Sequence, residues 1–261
     1  MIETIVNLWR GLSSKERRFQ LDDYFLVRYI YNSNRLENIP LDFHQTQELF
    51  ESGKVRDYTG DVRDLLSVSN TRNTYSYVMQ SLQKREPITI AFIKELHRKM
   101  MFASIDERRY SKGERAGEFK KGDYVIGPYD AGALPDEVTA EMDDYVSILS
   151  AFCKKDDPIK VLRMAAASHC VFENVHPFAD GNGRTGRWLT NYWLMLNDFP
   201  PIIFSEKRRK SYYDALGQYD RSQDISLMCA YFEHALKSTW EERLQRGTTD
   251  KGKLLHMFLP D

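Results

Sequence analysis

Cysteine is scarce in this chain. Cys153, Cys170 and Cys229 are odd in number and scattered, which excludes a disulfide framework and a cysteine metal cluster. They fit reduced, partly buried thiols, and a cytoplasmic location is expected. Long apolar runs are also missing. None reaches the ~18 residues of a membrane-spanning helix. The N-terminus has no basic stretch leading into an apolar one, so no secretory signal is expected. An excess of one charge sign is missing too. The 37 basic and 38 acidic residues leave a net charge of −1, which gives no electrostatic case for nucleic acid. No internal repeat or low-complexity tract appears. The basic run Lys207-Arg208-Arg209-Lys210 precedes a helical segment and reads as a solvated face.

What is present is helical periodicity. Apolar residues recur at helical spacing over roughly 3–11, 21–37, 41–52, 57–84, 90–102, 135–152, 158–175, 182–197, 206–219 and 225–245. The pattern predicts an all-α fold in a chain long enough for one sizeable core. His97 and His169 lack metal partners in the sequence and read as core or helix-face residues. From Gly247 the chain reads as a loosely held terminus.

One stretch stands apart: His176-Pro177-Phe178-Ala179-Asp180-Gly181-Asn182-Gly183-Arg184-Thr185-Gly186-Arg187. Pro177 ends the preceding helix, because the residue before proline is pushed out of the α region. The Gly-Asn-Gly part opens the following helix. First-turn N–H groups lack internal partners and attract anions, and glycines let a phosphate approach closely. Arg184 and Arg187, three apart, share a helix face and suit phosphate oxygens. Asp180 is a hard oxygen ligand of the kind that holds Mg²⁺ together with phosphates. His176 can accept a proton near neutral pH. Phe178 reads as a packing anchor.

These residues resemble the Fic family motif, H-x-F-x-[D/E]-G-N-G-R-x-x-R, at every specified position. The resemblance implies an all-α Fic bundle with a short β-hairpin flap beside the site. It also implies protein adenylylation, the transfer of AMP from ATP to a target hydroxyl. By position, His176 would deprotonate that hydroxyl and Asp180 would hold Mg²⁺. Gly181, Asn182 and Gly183 would cradle phosphates, Arg184 would bind the β-phosphate and Arg187 the γ-phosphate. Thr185 and Gly186, at the motif's open positions, are counted with the nucleotide site.

Two further segments extend the resemblance. Ser33-Asn34-Arg35-Leu36-Glu37-Asn38 resembles the inhibitory motif [S/T]-x-x-x-E-[G/N], so Ser33, Glu37 and Asn38 would be inhibitory, with Glu37 reaching Arg187. Read locally, the same residues are a helix end capped by Asn38 with Pro40 beyond. Gly117 to Gly127 alternates bulky residues between glycines and resembles the flap, with Gly117, Lys120, Val125, Ile126 and Gly127 as its markers. The flap would hold a target protein, or the chain itself, by strand addition. Tyr212 and Asp220 fall where related proteins contact the nucleoside.

The expected organisation is an N-terminal helical region over 1–88, a Fic core over 89–235 and a C-terminal helix end and tail over 236–261. The leading function is an adenylyltransferase autoinhibited by Glu37. Removal of AMP, transfer of another phosphate-containing group, and non-catalytic nucleotide sensing are the rivals. Expected partners are ATP and a target protein, without nucleic acid or membrane; a homodimer is compatible.

Overall fold

The computed structural model describes the backbone of residues 1–56, 58–124, 132–152 and 157–258, with side chains in those stretches as far as residue 245. The described residues are helices and loops, without strands. The helices are α1 (Ile2–Gly11), α2 (Ser14–Phe19), α3 (Leu26–Leu36), α4 (Phe43–Ser52), α5 (Val62–Lys84), α6 (Ile90–Met100) and α7 (Glu107–Ser111). There follow α8 (Val138–Ala151), α9 (Pro158–Val175), α10 (Asn182–Leu196), α11 (Arg209–Ser222) and α12 (Ser226–Phe258).

Local chemistry sets the ends. Ser13 with Glu16 and Asp42 with Gln45 form capping boxes for α2 and α4. Asp157 caps α9, and Pro158 occupies its first turn, where no amide partner is lost. A wider turn over Gln20–Phe25 joins α2 to α3 without a break.

Helices α9 and α10 form the centre. Gly186 lets them cross closely: a Cβ there would lie 2.4 Å from Glu173 Oε1 and 2.8 Å from Phe172. Trp188, Phe172 and Phe178 are fully buried around this crossing. Helix α3 lies along α10, with Tyr29 and Trp188 ring centroids 4.5 Å apart. Helix α1 packs on α12 through Trp9 and Trp240, 5.0 Å apart. Buried residues from Ile5 to Leu244 form one continuous core. The N-terminal helices therefore pack directly on the centre, and the end of α3 is held over the start of α10.

Three features differ from the sequence pattern. Helix α7 was not visible as a periodic segment. Helix α12 runs on to Phe258, past the expected loose terminus at Gly247. The expected hairpin is not paired over its described part, 117–124. There the amides bond elsewhere: Lys120 N–H donates to Pro177 O at 2.9 Å, and those of Lys121 and Gly122 donate to Glu114 Oε1 at 2.9 and 3.0 Å. Phe119 turns onto Phe178. Val125, Ile126 and Gly127 lie outside the described residues.

Candidate active site

The loop between α9 and α10 is braced from within. His176 ends α9 in the left-handed region, φ 49°, with its N–H on Phe172 O. Asn182 clamps the loop: its Oδ1 accepts from Phe178 N–H at 2.9 Å, and its Nδ2 donates to Phe178 O at 2.7 Å. Its side chain is therefore committed to the loop, and only its backbone amide remains for a phosphate. Gly181, at φ 74°, is the cap position of α10, and its N–H donates to Asp180 Oδ1 at 2.7 Å. This hydrogen bond orients the carboxylate instead of leaving the amide for an anion.

His97 braces the loop from below. Its ring stacks on Phe178 at 3.7 Å and 1°. Nδ1 accepts from Gly117 N–H at 2.8 Å, and Nε2 lies 2.9 Å from Asp180 O. An amide can only donate and a carbonyl can only accept, so the proton sits on Nε2. Burial pushes this imidazole down to about 3, and it stays neutral. His97 ties the start of the 117–124 segment to the motif loop, a role that the sequence reading missed.

The end of α3 meets the start of α10. Asn38 is left-handed at φ 61°, its N–H donates to Arg35 O, and Ile39 N–H donates to Asn34 O. This is a Schellman close, which favours Gly or Asn at its left-handed position. It places Glu37 at the very end of α3, facing α10. Glu37 Oε1 accepts from Arg187 Nη2 at 2.6 Å. Arg187 also donates to Ser33, from Nε to Oγ at 3.0 Å and from Nη2 to O at 2.9 Å. A Cβ on Gly183 would come within 2.5 Å of Glu37 Oε1, so the carboxylate lies directly over the Gly-Asn-Gly turn. Burial alone would raise the Glu37 carboxyl. The guanidiniums of Arg187 and Arg184 outweigh it and hold the group below the usual carboxylate range.

Arg184 is tied to the same helix through one relay. Its Nη1 donates to Ser67 Oγ at 3.0 Å, and Ser67 donates to Asn34 Oδ1 at 2.9 Å. Its Nη2 stands 3.8 Å from Asp180 Oδ1. Arg209, in the basic run expected to be solvated, instead donates to Arg35 O and to Asn38 Oδ1. It closes the C-terminal end of α3, where a cation complements the helix dipole.

The other side of His176 is built differently. Lys120 is 3% exposed, and its ammonium has no hydrogen-bond partner among the described residues. Arg109, from α7, puts Nη1 3.7 Å from Asp180 Oδ2. Burial, helped by the nearby cations Lys120 and Arg109, lowers His176 to about 4. The imidazole is thus neutral at pH 7 and able to take a proton. Glu173, one turn before it, is driven by burial up to about 8.

Four further residues grouped with the nucleotide site have the following contacts. Thr185 is fully buried. Gly186 faces the α9 crossing. Tyr212 is buried, with its hydroxyl 2.8 Å from His169 Nε2 and a hydrogen bond to the Arg187 side chain, so it backs the motif arginine from the core. Asp220 accepts from Asn174 at 2.9 Å on the surface. Arg109 had no motif signal. Only the cap Asp106, whose carboxylate accepts from Arg109 N–H at 2.9 Å, marked the helix that carries it.

The site can be asked whether it suits Mg²⁺. No cluster of three or more His, Cys, Asp or Glu exists among the described residues. Asp180 stands alone, 35% exposed, beside the anion-binding turn. A lone carboxylate next to a phosphate site fits Mg²⁺, which takes one or two carboxylates plus substrate phosphates.

Comparison with known proteins gives the family and the fold. The Fic/DOC family model matches residues 87–194. The chain belongs to the Fic/DOC family. It is 31% identical to protein adenylyltransferase fic-1 of Caenorhabditis briggsae over 207 residues, 78% of this chain and 38% of the relative. It is 29% identical to protein adenylyltransferase Fic of Nematostella vectensis over 192 residues, 73% of this chain and 42% of the relative. The chain thus spans about two fifths of the length of these curated relatives. The solved structure of Fic-1 (residues 134–508) from C. elegans superposes with TM-score 0.77 at 24% identity, covering 96% of this chain and 71% of that one. The all-α Fic fold is therefore shared.

Proposed function

We propose that this Fic domain transfers AMP from ATP to a hydroxyl of a target protein or of itself, and that Glu37 restrains it. The observation that carries this is the seat of Glu37. Its ionised carboxylate lies on Arg187 and over the Gly183 turn, so the site already holds an anion where a polyphosphate would sit. In the transfer, neutral His176 takes the proton of the acceptor hydroxyl. The hydroxyl oxygen bonds to the α-phosphorus, the bond from that phosphorus to the bridging oxygen breaks, and pyrophosphate leaves. The first-turn amides of α10 and Arg184 stabilise charge on the phosphates. Mg²⁺, when bound at Asp180, would neutralise phosphate charge. While Glu37 holds Arg187, that arginine is not free for a γ-phosphate, and the carboxylate repels one.

The ionised state of Glu37 also supports a second reading, in which it orients a water that removes AMP from a modified target. One experiment separates the two. Wild type and Glu37→Gly are incubated with labelled ATP, and separately with an AMP-modified target, and mass is followed. Transfer by Glu37→Gly above wild type supports the first reading. AMP removal by wild type that is lost in Glu37→Gly supports the second. Neither activity in either protein overturns both.

A further inference from the structure

We propose that Arg109 is a phosphate-binding residue of this site, placed by α7 to hold the α-phosphate from the side opposite the motif arginines. This rests on the nucleotide reading above and goes beyond it, because Arg109 lies outside every motif of the sequence. Its placement is built. Asp106 caps α7, and its carboxylate accepts from both the backbone N–H and Nη1 of Arg109. The guanidinium lies 5.6 Å from the Tyr124 ring and 3.7 Å from Asp180 Oδ2. Its Nε is buried and has no hydrogen-bond partner among the described residues.

Three observations point to an anion there. First, Nε lacks a partner among the described residues, as does Arg184 Nε across Asp180, and buried donors ordinarily find partners. Second, the Lys120 ammonium is buried without a hydrogen-bond partner among the described residues and, like Arg109, lies near enough to His176 to lower it. A Cβ on Gly132 would lie 3.0 Å from Lys120 Nζ and 3.5 Å from His176 Cβ, so the ammonium is close to the imidazole. Arg109 is paired with Asp106, so Lys120 is the cation left without a partner among the described residues, and an anionic ligand would offset the cost of burying it. Third, the motif arginines are turned elsewhere: Arg187 to Ser33 and Glu37, Arg184 to Ser67. The phosphorus that is attacked must lie next to the base, His176. Arg109 is the guanidinium on that side of Asp180, so the phosphate it meets is the α-phosphate.

The test uses ligands that differ only in that phosphate. AMP and adenosine are titrated calorimetrically, without metal, into the full chain carrying Glu37→Gly. Arg109→Gln is expected to weaken AMP binding about tenfold or more, the range of a lost charge-assisted hydrogen bond. Adenosine binding should be unchanged, and Arg109→Lys should recover part of the AMP affinity. The Arg109→Gln loss should persist in an Asp180→Asn background. AMP affinity equal to the parent's overturns the proposal. So does an equal loss for adenosine, which would make Arg109 a support of the pocket. A loss that vanishes with Asp180→Asn also overturns it, because Arg109 would then only neutralise that carboxylate. If the Glu37→Gly parent itself binds neither ATP nor AMP, the nucleotide reading has failed before Arg109 is changed, and the proposal falls with it.

Discussion

The two sides of His176 hold cations in opposite conditions. On the α10 side, Arg187 is fully buried and held by Ser33 and Glu37, and Arg184 is engaged through Ser67, although its Nε has no partner among the described residues. On the α7 side, Arg109 is paired with Asp106, and the Lys120 ammonium has no hydrogen-bond partner among the described residues. The α10 side is therefore quenched by the chain itself. On the other side, Lys120 alone is left uncompensated among the described residues. A buried charge that is paired can be stable at rest, whereas an unpaired one stores a cost that a ligand can relieve. The difference suggests that restraint acts at the far phosphates, while the reacting phosphate's seat stays open.

The largest expected effect tests whether His176 stands apart from both sides as the chemical group. In the Glu37→Gly background, His176→Ala should lower AMP transfer by ~10²–10⁴-fold, the usual contribution of a positioned base. Nucleotide affinity, measured by calorimetry, should change little, because the amides and arginines remain. Transfer at the parent rate would remove His176 from the reaction.

The next pair of variants should move stability in opposite directions. Glu37→Gly leaves Arg187 short of one charged partner, though Ser33 still accepts two of its hydrogen bonds. A loss of about 1–3 kcal/mol is expected in denaturant unfolding, recovered when ATP is added. Lys120→Met removes a buried ammonium that has no hydrogen-bond partner among the described residues and keeps most of the apolar stem. It should be neutral or stabilising by about 1–3 kcal/mol. Destabilisation by Lys120→Met would show that the amine is satisfied in solution, and the contrast between the two sides would collapse.

How much of this was legible in the sequence depends on the range of the interaction. The helices of the centre were legible because their ends are local: Pro177 stops α9, Gly181 opens α10, and Asn38 supplies a left-handed close. The motif residues were legible for the same reason, being packed into twelve consecutive positions. What was not legible came from partners far along the chain. The relay from Arg184 through Ser67 to Asn34 joins three helices. His97 reads as any buried histidine until Gly117 and Asp180 are seen at its two nitrogens. The alternation in 117–124 resembled a strand, but its amides turn to Pro177 and Glu114 instead of a neighbouring strand. Thr185 and Gly186 were grouped with the site because they are adjacent in sequence, yet on a helix adjacent residues face different ways.

A third prediction uses pH to sharpen the contrast. His97, His169 and His176 titrate in the fold near 3, 3 and 4, all because of burial. Their unfolded values are about 6.5. Between those limits the unfolded chain binds more protons, so stability is complete above about pH 6.5 and is lost as pH falls toward 4. Glu173 works in the other direction. Burial raises it to about 8, so its contribution is present below its unfolded value of about 4.3 and is lost as pH rises through 8. Glu173→Gln should therefore gain stability over wild type as pH rises from 5 to 9, on the order of one to a few kcal/mol. Melting curves of both proteins across that range would decide. Parallel curves would mean that Glu173 ionises freely and is not held neutral behind Arg187.

The smallest expected effect concerns Asn38, and it separates the shape of the restraint from its charge. Asn38 has φ 61° and closes α3 with the hydrogen bonds of a Schellman turn. Its Oδ1 also accepts from Arg209 Nη1 at 2.5 Å, on an exposed part of the surface. Asn38→Ala must adopt the left-handed conformation with a Cβ and no compensating side-chain bond, at a cost of about 1 kcal/mol. Asn38→Gly keeps that conformation at no steric cost and loses only the exposed hydrogen bond. The Ala variant should therefore fray the end of α3, loosen Glu37 from Arg187, and raise AMP transfer slightly, well below the rise for Glu37→Gly. The Gly variant should match wild type in transfer. If Asn38→Gly were as active as Asn38→Ala, the Arg209 contact would be what holds Glu37 in place. If neither differed from wild type while Glu37→Gly did, the carboxylate would be seated by its charge pairing with Arg187 alone, and the left-handed close would be a consequence of where α3 ends.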